Sequence, residues 1–474
     1  RKAVTVIEDA AVPLEHLYSY YKHMKKFMHS NGINAVFYGH ASVGLIHIRP
    51  ILNLADENDR NKMIFIAKES SRMIKKYKGA LSGEHGDGRI RAMFLEEQFG
   101  SNVYQYLVNL KRTFDPNNLL NPDVIISNQE MIKNIRNVHP SKANIQTGFN
   151  WSNDISFFYA TEKCSGAGVC RKSAGRGVMC PSYKAMREDQ HSTRGRANLL
   201  RRALESKNPY KELKNNILKE ALKLCLGCKA CKRECPANVD MSKLKSEYLY
   251  QTQQQQSQFE LWYIKNLGKI FKIGTYFPFI FNYFQNNPFV LKAIGFHRKM
   301  PTLQKDTLSL FWDNNSLHKN KNTVWILCDI FTEYHDVNIG KEFLAFLEAC
   351  KVNIKIVPYN NSIVAMISKG LLTEAKKELN DLMKNLKDVT KDDFIVGIEP
   401  SEVLVWRDEA KDLIKDRLPT VLLFEELLLK LKKIGLLPKM NTLKSKIWLH
   451  THCHQSTLTD NNNLKNAINL IPGV

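Results

Sequence analysis

The segment CLGCKACKRECP, running from Cys225 to Pro236, restricts this chain more tightly than any other stretch of it. Cys225, Cys228 and Cys231 are separated by two residues each. At that spacing three thiolates of one short loop can cap three irons of a cubane, while a ligand from elsewhere takes the fourth. A tetrahedral zinc site can use the same donors and is the alternative. Seven of the ten cysteines fall between Cys164 and Cys235, in a chain with no secretory signal, so metal ligation in a reducing, cytoplasmic compartment is expected rather than disulfides.

A second group, CSGAGVCRKSAGRGVMCP, holds Cys164, Cys170 and Cys180, the last again followed by proline. In ferredoxin-type patterns the cysteine before proline serves the other cluster. Cys180 is therefore expected to complete a [4Fe–4S] site with Cys225, Cys228 and Cys231, and Cys235 to belong with Cys164 and Cys170. The residues from Ser165 to Val169 lack the middle cysteine of the usual triplet, which leaves the second site with three cysteines. One cluster or two is thus open, and Cys164 and Cys170 can also be read as buried structural thiols. Just downstream, Arg194 and Arg196 in HSTRGRANLLRR either stabilise an anionic cluster or begin a helix as exposed cations.

Nearer the start, GHASVGLIH sets His40 and His47 seven residues apart across a glycine-containing strand or turn, and SGEHGDGR places Glu84 and His85 among Gly83, Gly86 and Gly88. Two imidazoles and a carboxylate suit a borderline divalent metal such as zinc, with a coordination position left for substrate. The glycines let backbone and substrate approach closely. On residue types alone, satisfied structural histidines are an equal reading.

At 474 residues, with 43% hydrophobic and 24% charged residues, several domains with substantial cores are expected. The net charge of +22 raises a nucleic-acid reading, but the lysines are spread along the chain, often beside acids as in EAKKELNDLMKNLKD, and no recognition motif accompanies them. A solvated basic surface that draws acidic substrates or an anionic membrane face fits better.

Residues 1–127 alternate strand-like KAVTVIED and NAVFYGHASVGLIHIRPIL with helical stretches at 14–30 and 58–77, an α+β block closed by FDPNNLLNP. A polar connector follows at 128–155. A mostly helical ferredoxin-type region spans 156–250, with Ser192 and Thr193 as caps of a helix at 195–206. Residues 251–322 form an aromatic-rich helical connector whose IGTYFPFIFNYF, too short to span a membrane, reads as a packed helix pair. From 323 to 474, NTVWILCD, VNIKIVPY, DFIVGIEP and SKIWLHTHC alternate with helices at 337–350 and 370–386, which argues for an α/β domain with a parallel sheet. The chain opens in mid-pattern on RKAVTVIED, without initiator methionine, signal or transit peptide, as a fragment would.

YGHASVGLIHIRP, SGEHGDGR and FDPNNLLNP together resemble the C-terminal part of FAD-linked oxidases of the D-lactate and D-2-hydroxyglutarate dehydrogenase family. CSGAGVC, MCPSY and CLGCKACKRECPANVDMSKLKSEYL are similar to the iron–sulfur module fused behind it in large D-2-hydroxyacid dehydrogenases. GIEPSEVLVWRDE and HTHCHQ resemble the cysteine-rich domain that follows, related to heterodisulfide reductases and glycolate oxidase subunits. The resemblance implies metal ligands at His40, His47 and Glu84, proton handling by His85 and a cofactor contact at Asn121. It puts Arg49 on the substrate side, where the family often carries asparagine. It also implies FAD, with the main FAD-binding domain supplied by upstream sequence or another subunit.

The activity so implied is oxidation of a D-2-hydroxyacid of the lactate or 2-hydroxyglutarate class to the 2-oxoacid, electrons leaving FAD through an iron–sulfur cluster to a quinone, cytochrome or other carrier. The alternative is a non-catalytic electron-transfer subunit of a glycolate oxidase-like complex. The location implied is cytoplasmic or peripheral at the inner membrane face, and homo-oligomerisation is open. The last domain reads as degenerate: YNNSIVAMISKGLL has no cysteine, Glu402 stands where cysteine is common, and Cys453 alone survives. A structural or assembly role is expected of it, with His450, His452 and His454 as secondary metal candidates.

Overall fold

The computed structural model describes residues 2–54, 56–127, 129–133, 135, 145–175, 177–312 and 322–474. The chain divides into two compact units, 1–139 and 140–474. In the first, β1 (Lys2–Ala3), β2 (Ile7–Ala11), β3 (Ala35–His40) and β4 (Leu45–Leu52) form an antiparallel sheet in which β4 pairs with the other three. KAVTVIED thus supplies two short strands, and the long run after it folds back on itself as the β3–β4 hairpin. The hairpin turn closes on Gly44, at φ 70°, where a Cβ would stand 2.0 Å from the Val12 carbonyl oxygen. Only glycine satisfies both constraints.

Helices α1 (Leu14–Ser30) and α2 (Glu57–Lys76) bury Tyr20, Met24, Met63 and Ile66 in one core with Ile46 and Ile48 of β4. Asp56 caps α2 by accepting the Asn58 N–H, and Lys75 and Lys76 in its last turn meet the negative end of its dipole. Because side chains alternate along a strand, the core contacts of Ile46 and Ile48 send His47 and Arg49 to the other face of β4. Their cross-strand partners there are Tyr38 and Val36.

The second unit is helical from Phe157 to Phe311 and ends in a parallel sheet of order β6-β5-β7-β8, with β5 Thr323–Cys328, β6 Asn353–Pro358, β7 Phe394–Gly397 and β8 Val421–Leu422. Val324, Ile326, Ile354 and Val396 form its core with Leu344, Leu347, Leu427 and Leu431. The expected helices are Val337–Ala349 and Leu372–Asn385. The strand expected in SKIWLHTHC does not form: residues 441–450 are exposed and without regular structure, and Val421–Leu422 takes the place beside β7. An alternating apolar pattern makes a strand only where an edge offers partners and one face is covered.

IGTYFPFIFNYF is also unlike its expectation. It contributes to helices Leu267–Gly274 and Pro278–Gln285, but Phe277, Phe279, Tyr283 and Phe284 face solvent, Phe279 at 87% exposure. The face of the latter helix that packs is partly polar, with Asn282 and Gln285 donating to the Leu303 and Pro301 carbonyls, and the rings on its other faces are left uncovered. Among the described residues no helix is long and apolar enough to cross a membrane. Of the expected connector, residues 128, 134 and 136–144 lie outside the described residues. Its far end is held by the buried Glu247, which accepts the Gly148 and Phe149 N–H groups at 3.0 Å each.

Candidate functional site

Between Ile7 and Ala10 the β2–β4 register slips, so that Glu8 and Asp9 together stand opposite His47. This is the two-against-one geometry of a β-bulge, which turns side chains out of the regular alternation. The Glu8 carbonyl accepts His47 Nδ1–H, which fixes the tautomer and leaves the Nε2 lone pair free to ligate a metal. That nitrogen lies 3.4 Å from Glu84 Oε1, and His40 Nε2 lies 3.2 Å from the same oxygen. The three expected ligands therefore converge, with His47 buried and His40 and Glu84 open to solvent. Donor type and convergence fit a divalent cation.

His85 stacks on His47 with ring centroids 5.3 Å apart. Its Nδ1 meets Glu8 Oε1 at 3.0 Å, and that hydrogen bond raises the imidazole above its ordinary pKa. The other Glu8 oxygen accepts from Arg49 at 3.0 Å, and the Arg49 guanidinium lies over the Tyr38 ring. Asp9 is fully buried and accepts from Ser82 and from the Glu84 and His85 N–H groups, the latter two at 3.1 and 2.8 Å. Burial would raise its carboxyl, but these hydrogen bonds hold it below the usual carboxylate value. Its second oxygen, Asp9 Oδ1, has no hydrogen-bond partner, and Asp9, His47 and His85 form a second convergent donor group. Glu8 and Asp9 were not singled out in the sequence. The one local sign was a pair of adjacent carboxylates inside an apolar strand.

In the second unit the cysteines lie in two neighbourhoods. Cys225 and Cys228 line a cavity of about 370 Å³, and Cys231, buried beside it, accepts the Met241 N–H at 3.3 Å. Burial, then Asp240 and the neighbouring thiols, push the Cys231 thiol upward, so that a metal would have to displace its proton. Cys164, Cys170 and Cys235 line a second, small cavity. Cys180 sits against Cys170 as a hydrogen-bond partner and takes the Thr193 N–H at 3.1 Å. Thiols gathered with backbone N–H donors suit iron–sulfur ligation.

A family model described as FAD linked oxidases, C-terminal domain, matches residues 1–125, and one described as 4Fe-4S dicluster domain matches residues 160–239. Residues 1–125 are thus similar to the C-terminal domain of FAD-linked oxidases, and residues 160–239 to a 4Fe-4S dicluster domain. The chain is 27% identical to a D-2-hydroxyglutarate dehydrogenase of Escherichia coli over 86% of this chain and 45% of that protein. Its identity to one from Haemophilus influenzae is 25%, over 97% of this chain and 50% of that protein. A D-lactate dehydrogenase of Archaeoglobus fulgidus is 30% identical over 27% of this chain and 28% of that protein. The chain thus spans about half the length of the longer curated relatives it matches.

Within the oxidase domain, Asn121 is exposed in a left-handed turn at φ 47°, in a loop tied to the glycine turn after His85 by the Ile125 N–H to Gly88 carbonyl bond. In the dicluster domain, Ser192 caps the helix Thr193–Glu205 through the Gly195 N–H, whereas Thr193 serves Cys180. Arg194 offers its backbone N–H to Cys170 at 3.4 Å and its guanidinium to Asp189 at 3.1 Å. Arg196 is neither an exposed cation nor a thiol partner: it is buried and donates to the Ala221 carbonyl and the Ser182 hydroxyl, at 2.6 and 2.9 Å. Glu402 is a buried structural carboxylate, accepting from Ser362 and from the Ile363 N–H. His450, His452 and His454 form no three-ligand group among the described residues.

Proposed function

We propose that this chain supplies the substrate-facing metal centre and the electron outlet of a flavin-dependent D-2-hydroxyacid dehydrogenase, which converts a substrate of the 2-hydroxyglutarate or lactate class to the 2-oxoacid. The observation that carries this reading is the convergence of His40, His47 and Glu84 on one point with His85 stacked beside it. Similarity over most of the chain to proteins named D-2-hydroxyglutarate dehydrogenase supports the substrate class. When bound, flavin supplies a hydride acceptor, the divalent cation a Lewis acid and the iron–sulfur cluster a one-electron outlet.

His40, His47 and Glu84 would hold the cation, which would polarise the substrate hydroxyl. His85, with Nδ1–H engaged by Glu8, presents Nε2 to take the hydroxyl proton, and the Glu8 carboxylate steadies the imidazolium that results. Arg49 holds Glu8 in that pose and also faces the substrate carboxylate. Asn121 faces the flavin, which an upstream domain or subunit binds. The solvent-facing rings Phe277, Phe279, Tyr283 and Phe284, with Lys272 and Lys292 nearby, form a peripheral contact with an anionic membrane face. Co-sedimentation with acidic vesicles checks this, and failure of the chain to bind them removes that contact.

In the complete flavoprotein, His85→Ala leaves the iron–sulfur absorption intact and slows anaerobic flavin reduction by D-2-hydroxyglutarate or D-lactate about 10²–10⁴-fold. Reduction at the wild-type rate overturns the proton-handling role. Reduction by neither acid in the wild-type protein overturns the substrate class.

A further inference from the structure

We infer that Cys453 is the fourth ligand of the iron–sulfur site formed by Cys225, Cys228 and Cys231, and that Cys180 belongs instead with Cys164, Cys170 and Cys235. The inference rests on the iron–sulfur reading of residues 160–239 and is independent of the hydroxyacid activity. Cys453 lies far outside that segment, yet it lines the same cavity of about 370 Å³ as Cys225 and Cys228.

Its placement there is built by contacts on both sides. The helix Cys453–Leu458 packs on the helix Ala230–Glu234, which carries Cys231. His454 Nε2–H donates at 3.0 Å to the carbonyl of Gly227, which stands between Cys225 and Cys228, and Arg233 donates to the Ser456 carbonyl. His452 accepts the His454 N–H at 3.3 Å. His452 and His454 line the same cavity, each with one ring nitrogen engaged, and the free thiol of Cys453 between them is the donor that matches the other three ligands.

Cys180 is committed elsewhere. It touches Cys170 and is held by the Thr193 backbone and hydroxyl, at 3.1 and 3.0 Å, while Cys164, Cys170 and Cys235 share a cavity of their own. The sorting gives two sets of four thiols, one for each cluster of a dicluster domain, and supplies the donor that the missing middle cysteine of the first motif withholds. On loading, each thiol releases its proton to solvent and binds iron as thiolate.

The test uses the whole chain loaded anaerobically with ferrous iron and sulfide, in a Cys170→Ser background that disables the second site under either pairing. Cys453→Ser is expected to lose one of the four irons of the remaining cluster and to give a three-iron signal in the oxidised electron paramagnetic resonance spectrum. Cys180→Ser is expected to leave that cluster unchanged. A spectrum unchanged by Cys453→Ser, or a cluster lost on Cys180→Ser, overturns the assignment. Independently of any variant, alkylation followed by mass spectrometry should label the exposed Cys453 only after iron is stripped. Equal labelling with and without iron also overturns it. A wild-type chain that takes up no iron fails differently, since it removes the iron–sulfur reading itself.

Discussion

Asp9 is buried, and it hydrogen-bonds the backbones of the two residues that matter most to the proposed chemistry. Its carboxylate holds the Glu84 and His85 N–H groups and so sets where a ligand and a proton acceptor begin. Outer-shell groups of this kind are typically worth a factor of about 10–100 in metal affinity. Asp9→Asn is therefore expected to weaken zinc binding at His40, His47 and Glu84 by that factor, measured by competition with a chelating dye, while helix content stays at wild type. The histidines and Glu84 were legible because metal chemistry needs their residue types. Glu8 and Asp9 were not, because their roles depend on a bulge, and a one-residue slip of strand register leaves no mark in local composition.

At the scale of elements, the thiol loop is bolted to the α/β layer by charge. Lys229, between Cys228 and Cys231, is buried and paired with Asp408 at 2.6 Å and with Glu409. Lys232 also reaches Asp408, and Lys243 reaches Asp412 at 2.6 Å. Removing one partner of a buried pair leaves an uncompensated charge and costs about 3–5 kcal/mol, so Lys229→Met should destabilise the unit at 140–474 by that amount in urea melts. Burial alone would raise Asp408, but the Lys229 and Lys232 cations overcome it and hold the carboxyl down at about 2. A depressed carboxyl contributes stability above its unfolded pKa of about 3.9. That contribution is lost as pH falls from there towards the folded value, and Asp408→Asn should flatten this acid limb. The hairpin turn has its own check: Gly44→Ala, at positive φ and against the Val12 carbonyl, should cost about 1–3 kcal/mol in thermal melts. Long helices and buried parallel strands were readable from periodicity, whereas SKIWLHTHC carried a strand's alternation and found no edge to join.

For the whole molecule, two compact units, each with its own proposed metal site, predict two unfolding events that respond to different ligands. Ligands that bind only the folded state stabilise it in proportion to occupancy. Stripping iron should lower the transition of the unit at 140–474 and leave the other in place, and removing divalent cations should do the reverse. Calorimetry of the loaded and stripped chain reads both, and a single transition that moves with either treatment would contradict this independence. The cysteine spacing by itself determined where a thiolate donor set lies, and the residue types of GHASVGLIH and SGEHGDGR offered an imidazole–carboxylate set as well, because coordination needs those donors and short loops must carry them. Which donors meet was decided only in three dimensions. The bulge facing His47, the company kept by Cys180, and the return of Cys453 to the loop of Cys225 all depend on packing between segments distant in sequence, and spacing along a chain constrains only what is near.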